Sequence, residues 1–159
     1  MKGSPLAKLY KKGLYTPISL REAVQWVKVA LRLLEKAKIA VVRVGLQTTP
    51  ELDSPKAVLA GPYHPAFRFL VESALFYDMA YRLLENSGSL VGHRVRFRVA
   101  PEDLSNLKGH GKDNVARLRK AFGSRSIEMI ADPTIVRGNL LLEGSNGFLT
   151  MSRERLTEA

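Results

Sequence analysis

Apolar residues recur at helical spacing at Leu20, Val24, Val27, Leu31 and Leu34, which predicts a helix over about Leu20–Lys36. Ser19-Leu-Arg-Glu22 places a capping box at its start: the Ser19 hydroxyl can accept from an early helix amide while Glu22 reaches back. Arg32, Lys36 and Lys38 gather at the other end, where cations oppose the negative pole of the helix dipole. The pattern then becomes a short unbroken apolar run, Ile39–Val44, rich in β-branched residues; its length predicts a buried strand. A helix feeding directly into such a strand is half of an α/β crossover unit. One unit cannot close a sheet alone, so a partner surface is expected.

Lys2–Gly13 is basic and turn-rich, and Thr48–Lys56 is a loop carrying Pro50 and Pro55. Pro62 and Pro65 bracket Tyr63-His64 and stiffen that corner. A second helix is predicted over about Pro65–Glu85, with Phe67, Leu70, Val71, Ala74 and Leu75 as its buried stripe, ended by Asn86-Ser-Gly88. Val91–Val99 then alternates: Val95, Phe97 and Val99 on one face, Arg94, Arg96 and Arg98 on the other, the pattern of a half-buried strand. Pro101-Glu-Asp opens a helical turn, Gly109-His-Gly111 is a glycine loop, and a third helix spans about Asp113–Phe122 with Gly123 after its end. Ser126–Ile130 and Asn139–Glu143 read as strands, and Gly144-Ser-Asn-Gly147 turns into a last short strand at Phe148–Met151. The order of this second half is β-α-α-β-β, with no long internal repeat.

Composition sharpens the picture. The apolar fraction of 45% over 159 residues is enough for a core. No run approaches the roughly 20 apolar residues a bilayer requires. MKGSPLAKLYKKG has no apolar signal core, so a cytoplasmic protein without a membrane partner is expected. The chain has no cysteine, which excludes disulfides, thiolate zinc sites and cysteine-held iron–sulfur clusters within it. The net charge of +10 favours a polyanionic partner, most simply RNA or DNA; the alternative is charge that only keeps the protein soluble.

Two segments could use that charge. Arginines two apart on a strand stand about 6.5–7 Å apart on one face, a spacing suited to successive phosphates of a single strand. Arg94, Arg96 and Arg98 have it, unless they are simply a solvated face. In LKGHGKDNVARLRKAFG, the glycines free backbone amides next to a helix start, with Lys108, His110 and Lys112 around them and Arg117, Arg119 and Lys120 beyond. The plainer reading is a helix–helix turn. Gln47, at the end of the predicted strand, could face a substrate or be an ordinary loop residue. His64 could act as a general acid or base, or hydrogen-bond the corner that holds the second helix. His64, His93 and His110 lack metal-ligand spacing, and no Ser-His-Asp set or P-loop is present.

The run VRFRVAPEDLSNLKGHGKDNVARLRKAFGSRSIEMIAD, followed by NLLLEG, resembles a KH-type RNA-binding module, in which a GxxG loop between two helices grips a nucleic-acid backbone. Gly109, His110, Gly111 and Lys112 fall on that loop, with lysine in place of the last glycine. KGSPLAKLYKKGLYTPISLREAV, VVRVGLQ and AGPYHPAF, with KGHGKDN further on, resemble the C-terminal part of the radical-SAM family of the elongator catalytic subunit. Its bacterial relatives are labelled oxygen-independent coproporphyrinogen oxidase-like. That resemblance implies chemistry on RNA, notably the tRNA wobble uridine. It also implies an iron–sulfur cluster and S-adenosylmethionine, held by a CxxxCxxC motif in an N-terminal half. With no cysteine here, the cofactors belong to that other half. The chain reads as beginning late in the family pattern, as a C-terminal fragment or a split product that does not cleave S-adenosylmethionine alone.

The expected architecture is α+β: a helix–strand remnant of a partial α/β barrel over residues 1–60, a bridging corner and helix over 61–90, and a KH-like β-α-α-β-β module over 91–159. The expected function is non-catalytic in isolation: RNA, with tRNA the leading candidate, is held by Arg94, Arg96, Arg98, Lys108, Gly109, His110, Gly111 and Lys112, and a cluster-bearing radical-SAM half is the protein partner. Val115, Leu118 and Ile127 would be core beneath that groove. One alternative is a catalytic half-site that completes an enzyme acting on RNA or on a small molecule such as a porphyrin. Another is a homodimer paired along the open edge of Ile39–Val44.

Overall fold

The capping box forms as its spacing predicts. Ser19 Oγ accepts from the Glu22 amide at 3.2 Å, and the Ser19 amide donates to Glu22 Oε2 at 2.8 Å. These contacts start α2, Leu20–Lys36. The carboxyl of Glu22 is held below its ordinary pKa by the hydrogen bonds from the side chain and backbone of Ser19. The computed structural model describes residues 3–47, 49–54, 58–88, 94–123, 126–144 and 147–157. Before α2, the basic N-terminal stretch is a helix rather than a set of turns. α1, Pro5–Lys11, begins with Pro5 in its first turn and Ser4 Oγ accepting from the Ala7 amide at 3.2 Å. Ser4 is the stop–start signal there: a serine followed by proline is an N-cap as readily as a turn.

The largest departure from expectation is Ile39–Val44. It is not a strand. Lys38 turns the chain out of α2 at φ 57°, and the run that follows lies without sheet partners among the described residues. Val41 and Val44 pack against the core while Ile39 and Val42 face outward, Val42 at 91% exposure. A β-branched run prefers extended backbone, but only a neighbouring ladder makes it a strand, and none is supplied. Within the loop after it, Pro50–Asp53 forms a single helical turn, α3, with Thr49 Oγ1 accepting from the Leu52 amide at 3.3 Å.

α4, Phe67–Glu85, starts two residues later than proline spacing suggested and is the centre of the molecule. Val71, Leu75, Phe76, Met79 and Ala80 are fully buried because α4 is packed by α2 on one side and by the sheet and later helices on the other. Leu70 and Ala74, expected in its buried stripe, are only half-buried.

The second half follows the expected order. β1, Arg94–Val99, leads through a 3-10 turn at Pro101–Asp103 into α5, Leu104–Lys108. The glycine loop then gives α6, Asp113–Phe122, with Gly123 beyond its end at φ 76°. β2, Ser126–Ala131, β3, Asn139–Gly144, and β4, Gly147–Ser152, complete the sheet. The expected strand residues Val91–His93, and the turn residues Ser145 and Asn146, lie outside the described residues. The sheet order is β2-β1-β3-β4, with β1 parallel to β2 and antiparallel to β3. The parallel pair is the crossover in which α5 and α6 cover one face. Val95, Phe97, Val99, Ile127, Leu140 and Leu142 point into that covered face. The architecture is α+β, as expected.

One hydrophobic cluster runs from Ala23 and Leu31 in α2 through α4 to Leu118, Leu142 and Leu156. Polar ties reinforce it. Arg32 and Arg82 both donate to the backbone carbonyl of Leu156, in the 3-10 turn that follows β4. Arg153 reaches Glu72 Oε2 at 2.5 Å and Glu35 Oε1 at 2.6 Å, and Lys28 Nζ sits 2.6 Å from Asp78.

Candidate functional site

The outer face of β1 carries Arg94, Arg96 and Arg98 as the alternation requires, but the neighbouring strands bring acids to two of them. Arg96 Nε lies 3.0 Å from Glu128 of β2 and its Nη1 lies 3.2 Å from Glu143 of β3. Arg98 Nε lies 2.7 Å from Glu143, and its Nη1 lies 3.2 Å from Asp132. The register pairs Arg96 directly with Glu128 and with Glu143. These contacts hold the Glu143 carboxyl below its ordinary range, chiefly through the Arg98 hydrogen bond. Asp132 is lowered chiefly by the Thr134 hydroxyl and amide, then by Arg98. Both guanidiniums are shifted up, Arg96 chiefly by Glu128 and Arg98 chiefly by Glu143. As a unit the ladder has no positive surplus. Arg94 is exposed and makes no ion pair among the described residues.

The glycine loop is built around one buried side chain. Asn114, at the second position of α6, shares the two Nδ2 hydrogens among four acceptors around it: Ser73 O at 2.9 Å, Ser73 Oγ at 3.1 Å, and the carbonyls of Asn106 and Leu107 at 3.2 Å each. It therefore ties the end of α5 and the start of α6 to α4. Gly109, at φ 78° and ψ 170°, passes so close that a Cβ there would sit 2.9 Å from Asn114 Cγ and 3.0 Å from its amide nitrogen. Gly111 at φ 55° has open space around it. Lys112 adopts φ 65°, a left-handed conformation that asparagine or glycine would take more easily. His110 and Lys112 are exposed and Lys108 is half-exposed. Leu118 and Ile127 lie in the core beneath, while Val115 is half-buried.

Beside the loop, a groove of about 600 Å³ runs between α2, α4 and the start of α6. Leu70 and Ala74 line it, which is why they are not fully buried. Arg117 stands at its wall, its Cζ 3.7 Å from the ring centroid of Tyr77.

The GLQ and GPYHP stretch forms a separate apolar pocket of about 490 Å³ with α2. His64 lines it, and Gln47 does not. Gln47 Oε1 instead accepts from Arg43 Nη1 at 3.0 Å in an exposed position. His64 Nδ1 accepts from the Ala66 amide at 3.1 Å, and its carbonyl accepts from the Phe67 amide, so the residue does hold the corner that starts α4. In the neutral ring this places the proton on Nε2. His93 is outside the described residues. Trp26, Val29 and Leu33, at helical spacing on α2, form an exposed apolar stripe, Trp26 at 70% exposure.

Arg98's carboxylate partners and the Arg117–Tyr77 stack were not legible as contacts. Asn114, by contrast, carried a signal: it closes KGHGKDN, the segment shared with the radical-SAM resemblance.

Residues 1–76 match the family model of the Radical_SAM C-terminal domain, so this part of the chain is supported as a radical-SAM C-terminal region. No curated protein and no solved structure matches the chain. The residues present do not fit the family's cluster: the chain has no cysteine, and among the described residues no group of three histidine or acidic side chains could hold a metal. Nor, among the described residues, is any helix long and apolar enough to cross a membrane.

Proposed function

We propose that the chain is an RNA-positioning region of a radical-SAM protein. It holds RNA, with tRNA the leading candidate, by the phosphates on Lys108–Lys112 and presents it to the half that carries the cluster. The observation that carries this reading is the loop itself: Gly109, Gly111 and Lys112 at positive φ, backed by buried Asn114, with cations exposed around it. The open space around Gly111 lets a phosphate approach the backbone closely, and the net charge of +10 supplies attraction at longer range. The KH-like resemblance of this half is part of the same reading. Phosphate contact falls first to Lys108, His110, Lys112 and Arg94; Arg96 and Arg98 would have to exchange carboxylates for phosphates.

Fluorescence anisotropy with a tRNA and with a single-stranded RNA checks this. Three phosphate contacts give log K against log salt a slope of about −2. Replacing Lys108 and Lys112 together by alanine removes about 1.4 of that slope, while Arg96→Ala with Arg98→Ala changes it less. No binding at low salt, or an unchanged slope in the lysine variant, overturns the proposal.

The apolar pocket and the stripe Trp26, Val29 and Leu33 favour a second reading, in which this face docks on the cluster-bearing half and His64 Nε2 serves a shared active site on a small molecule such as a porphyrin. A porphyrin absorption shift lost in Trp26→Glu would support it; no shift in the presence of the chain would remove it. Light scattering separates both readings from a homodimer.

A further inference from the structure

We infer that the groove between α2, α4 and α6 receives one nucleobase of the bound RNA, so that the loop holds the backbone while the groove holds a base. The inference rests on the RNA reading above and extends it to a binding site made jointly by the two halves of the chain. The volume, about 600 Å³, lies within the roughly 300–1,000 Å³ typical of small-molecule pockets.

Its walls have the chemistry of a base site. Leu20 and Val24 of α2 face Leu70 and Ala74 of α4 and offer apolar contact to a ring. At the edge stands the Arg117 guanidinium, held against the ring of Tyr77, which is not part of the groove wall. A guanidinium fixed in this way is a preformed plane on which a base can stack. Asp113 lies 3.9 Å from Arg117, an exposed and weak pair that leaves the guanidinium free to stack.

Polar groups sit where a base edge would arrive. Gln25 carries both a donor and an acceptor, and Ser73 Oγ, accepting from Asn114 Nδ2, keeps its own proton to donate. Asn114 Nδ2 has four carbonyl and hydroxyl acceptors around it, so the floor is set before any ligand enters. Arg21 and His110 close the rim with positive or hydrogen-bonding groups. His110 also belongs to the glycine loop, so a phosphate on the loop and a base in the groove are neighbours.

The test uses the full chain, single-stranded RNA, the same backbone made abasic, and a free nucleoside monophosphate, all by anisotropy or competition. Val24→Trp fills the groove without changing charge, and Arg117→Ala removes the stacking plane at an exposed site. Each is expected to weaken RNA binding about five- to one-hundredfold, the range of one lost stacked base, with the salt slope of Val24→Trp unchanged. The abasic backbone is expected to bind wild type and Val24→Trp equally. The nucleoside monophosphate is expected to compete only weakly, because the loop contacts are missing. Circular dichroism melting checks that each variant is folded; if Val24→Trp is not, Arg117→Ala with the abasic comparison decides. RNA binding that is equal in wild type and in the folded variants overturns the groove inference and leaves the loop reading standing. Tight binding of the monophosphate alone would make this a free-nucleotide site and overturns it too. Absence of any RNA binding removes the loop reading first.

Discussion

At Gly109 the requirement for glycine comes from inside the molecule. A methyl group there would meet Asn114 at 2.9 Å, and the φ of 78° at Gly109, with ψ 170°, adds a backbone conformation that other residues avoid. Gly109→Ala is expected to lower stability by about 3 kcal/mol, while Gly111→Ala, with open space around it, lowers it by only about 1 kcal/mol. Urea unfolding of the two variants measures the difference. Lys112 gives the converse case. Lys112→Gly relieves a left-handed lysine and is expected to raise stability by about 0.5–1 kcal/mol after the extra chain entropy of glycine is counted. If Lys112 touches phosphate, the same variant binds RNA more weakly. A gain in stability with a loss in affinity is a signature that a purely structural loop would not produce. Asn114→Leu leaves the carbonyls at the end of α5 without their donor and is expected to lower stability by about 2–3 kcal/mol in the same experiment.

At the scale of elements, the sheet's outer face and the Arg153 junction respond to acid in opposite ways. Glu143 and Asp132 have folded-state pKa values below their unfolded ones. Their contribution to stability is therefore present above the unfolded carboxylate range and is lost as pH falls through the lower folded values. Glu35 is raised, chiefly by burial, with Arg153 only partly offsetting it. Its contribution is present below its unfolded pKa and is lost as pH rises through the folded value. Glu143→Gln is expected to reduce the loss of stability on the acid side, and Glu35→Gln to remove the fall on the other limb; melting temperatures across pH 2–7 compare them. The same elements show what the sequence could convey. Helices α2 and α6 and the strands of the sheet were legible because their periodicity, caps and glycines act within a few residues. The ladder around Arg96 and Arg98 was not legible, because Glu128 and Glu143 approach only through strand register. Ile39–Val44 misled for the mirror-image reason: its composition suits a strand, but strand formation depends on a neighbour that no local pattern specifies. Of the candidate site, the loop residues could be read in advance, whereas the groove beside them, which needs α2 and α4 in place, could not.

At the scale of the molecule, α2 from the first half and the turn after β4 from the second share one core. Leu156 is fully buried, and its carbonyl is gripped by arginines from α2 and α4. Leu156→Ala is expected to lower stability by about 2–5 kcal/mol and to shift the melting of helix and sheet signals together. Separate transitions for the two signals would count against this coupling. The exposed apolar side chains have the opposite distribution: Leu14, Trp26, Leu33, Val42 and Leu46 all lie in the region that matches the Radical_SAM C-terminal domain. Among the described residues of the second half, the large apolar side chains that stand exposed are Val136 and Phe148.

The grip on Leu156 also has a consequence for how the protein is made. Arg32 leaves the ribosome 124 residues before its carbonyl partner. Until Arg153–Leu156 emerges, Arg32 and Arg82 lack the Leu156 carbonyl and Glu35 lacks Arg153, while Glu72 has only Arg68 of its own helix. The first half is thus translated early but completed late, and during that interval its bare apolar stripe is open to whichever chaperone or nascent neighbour reaches it first.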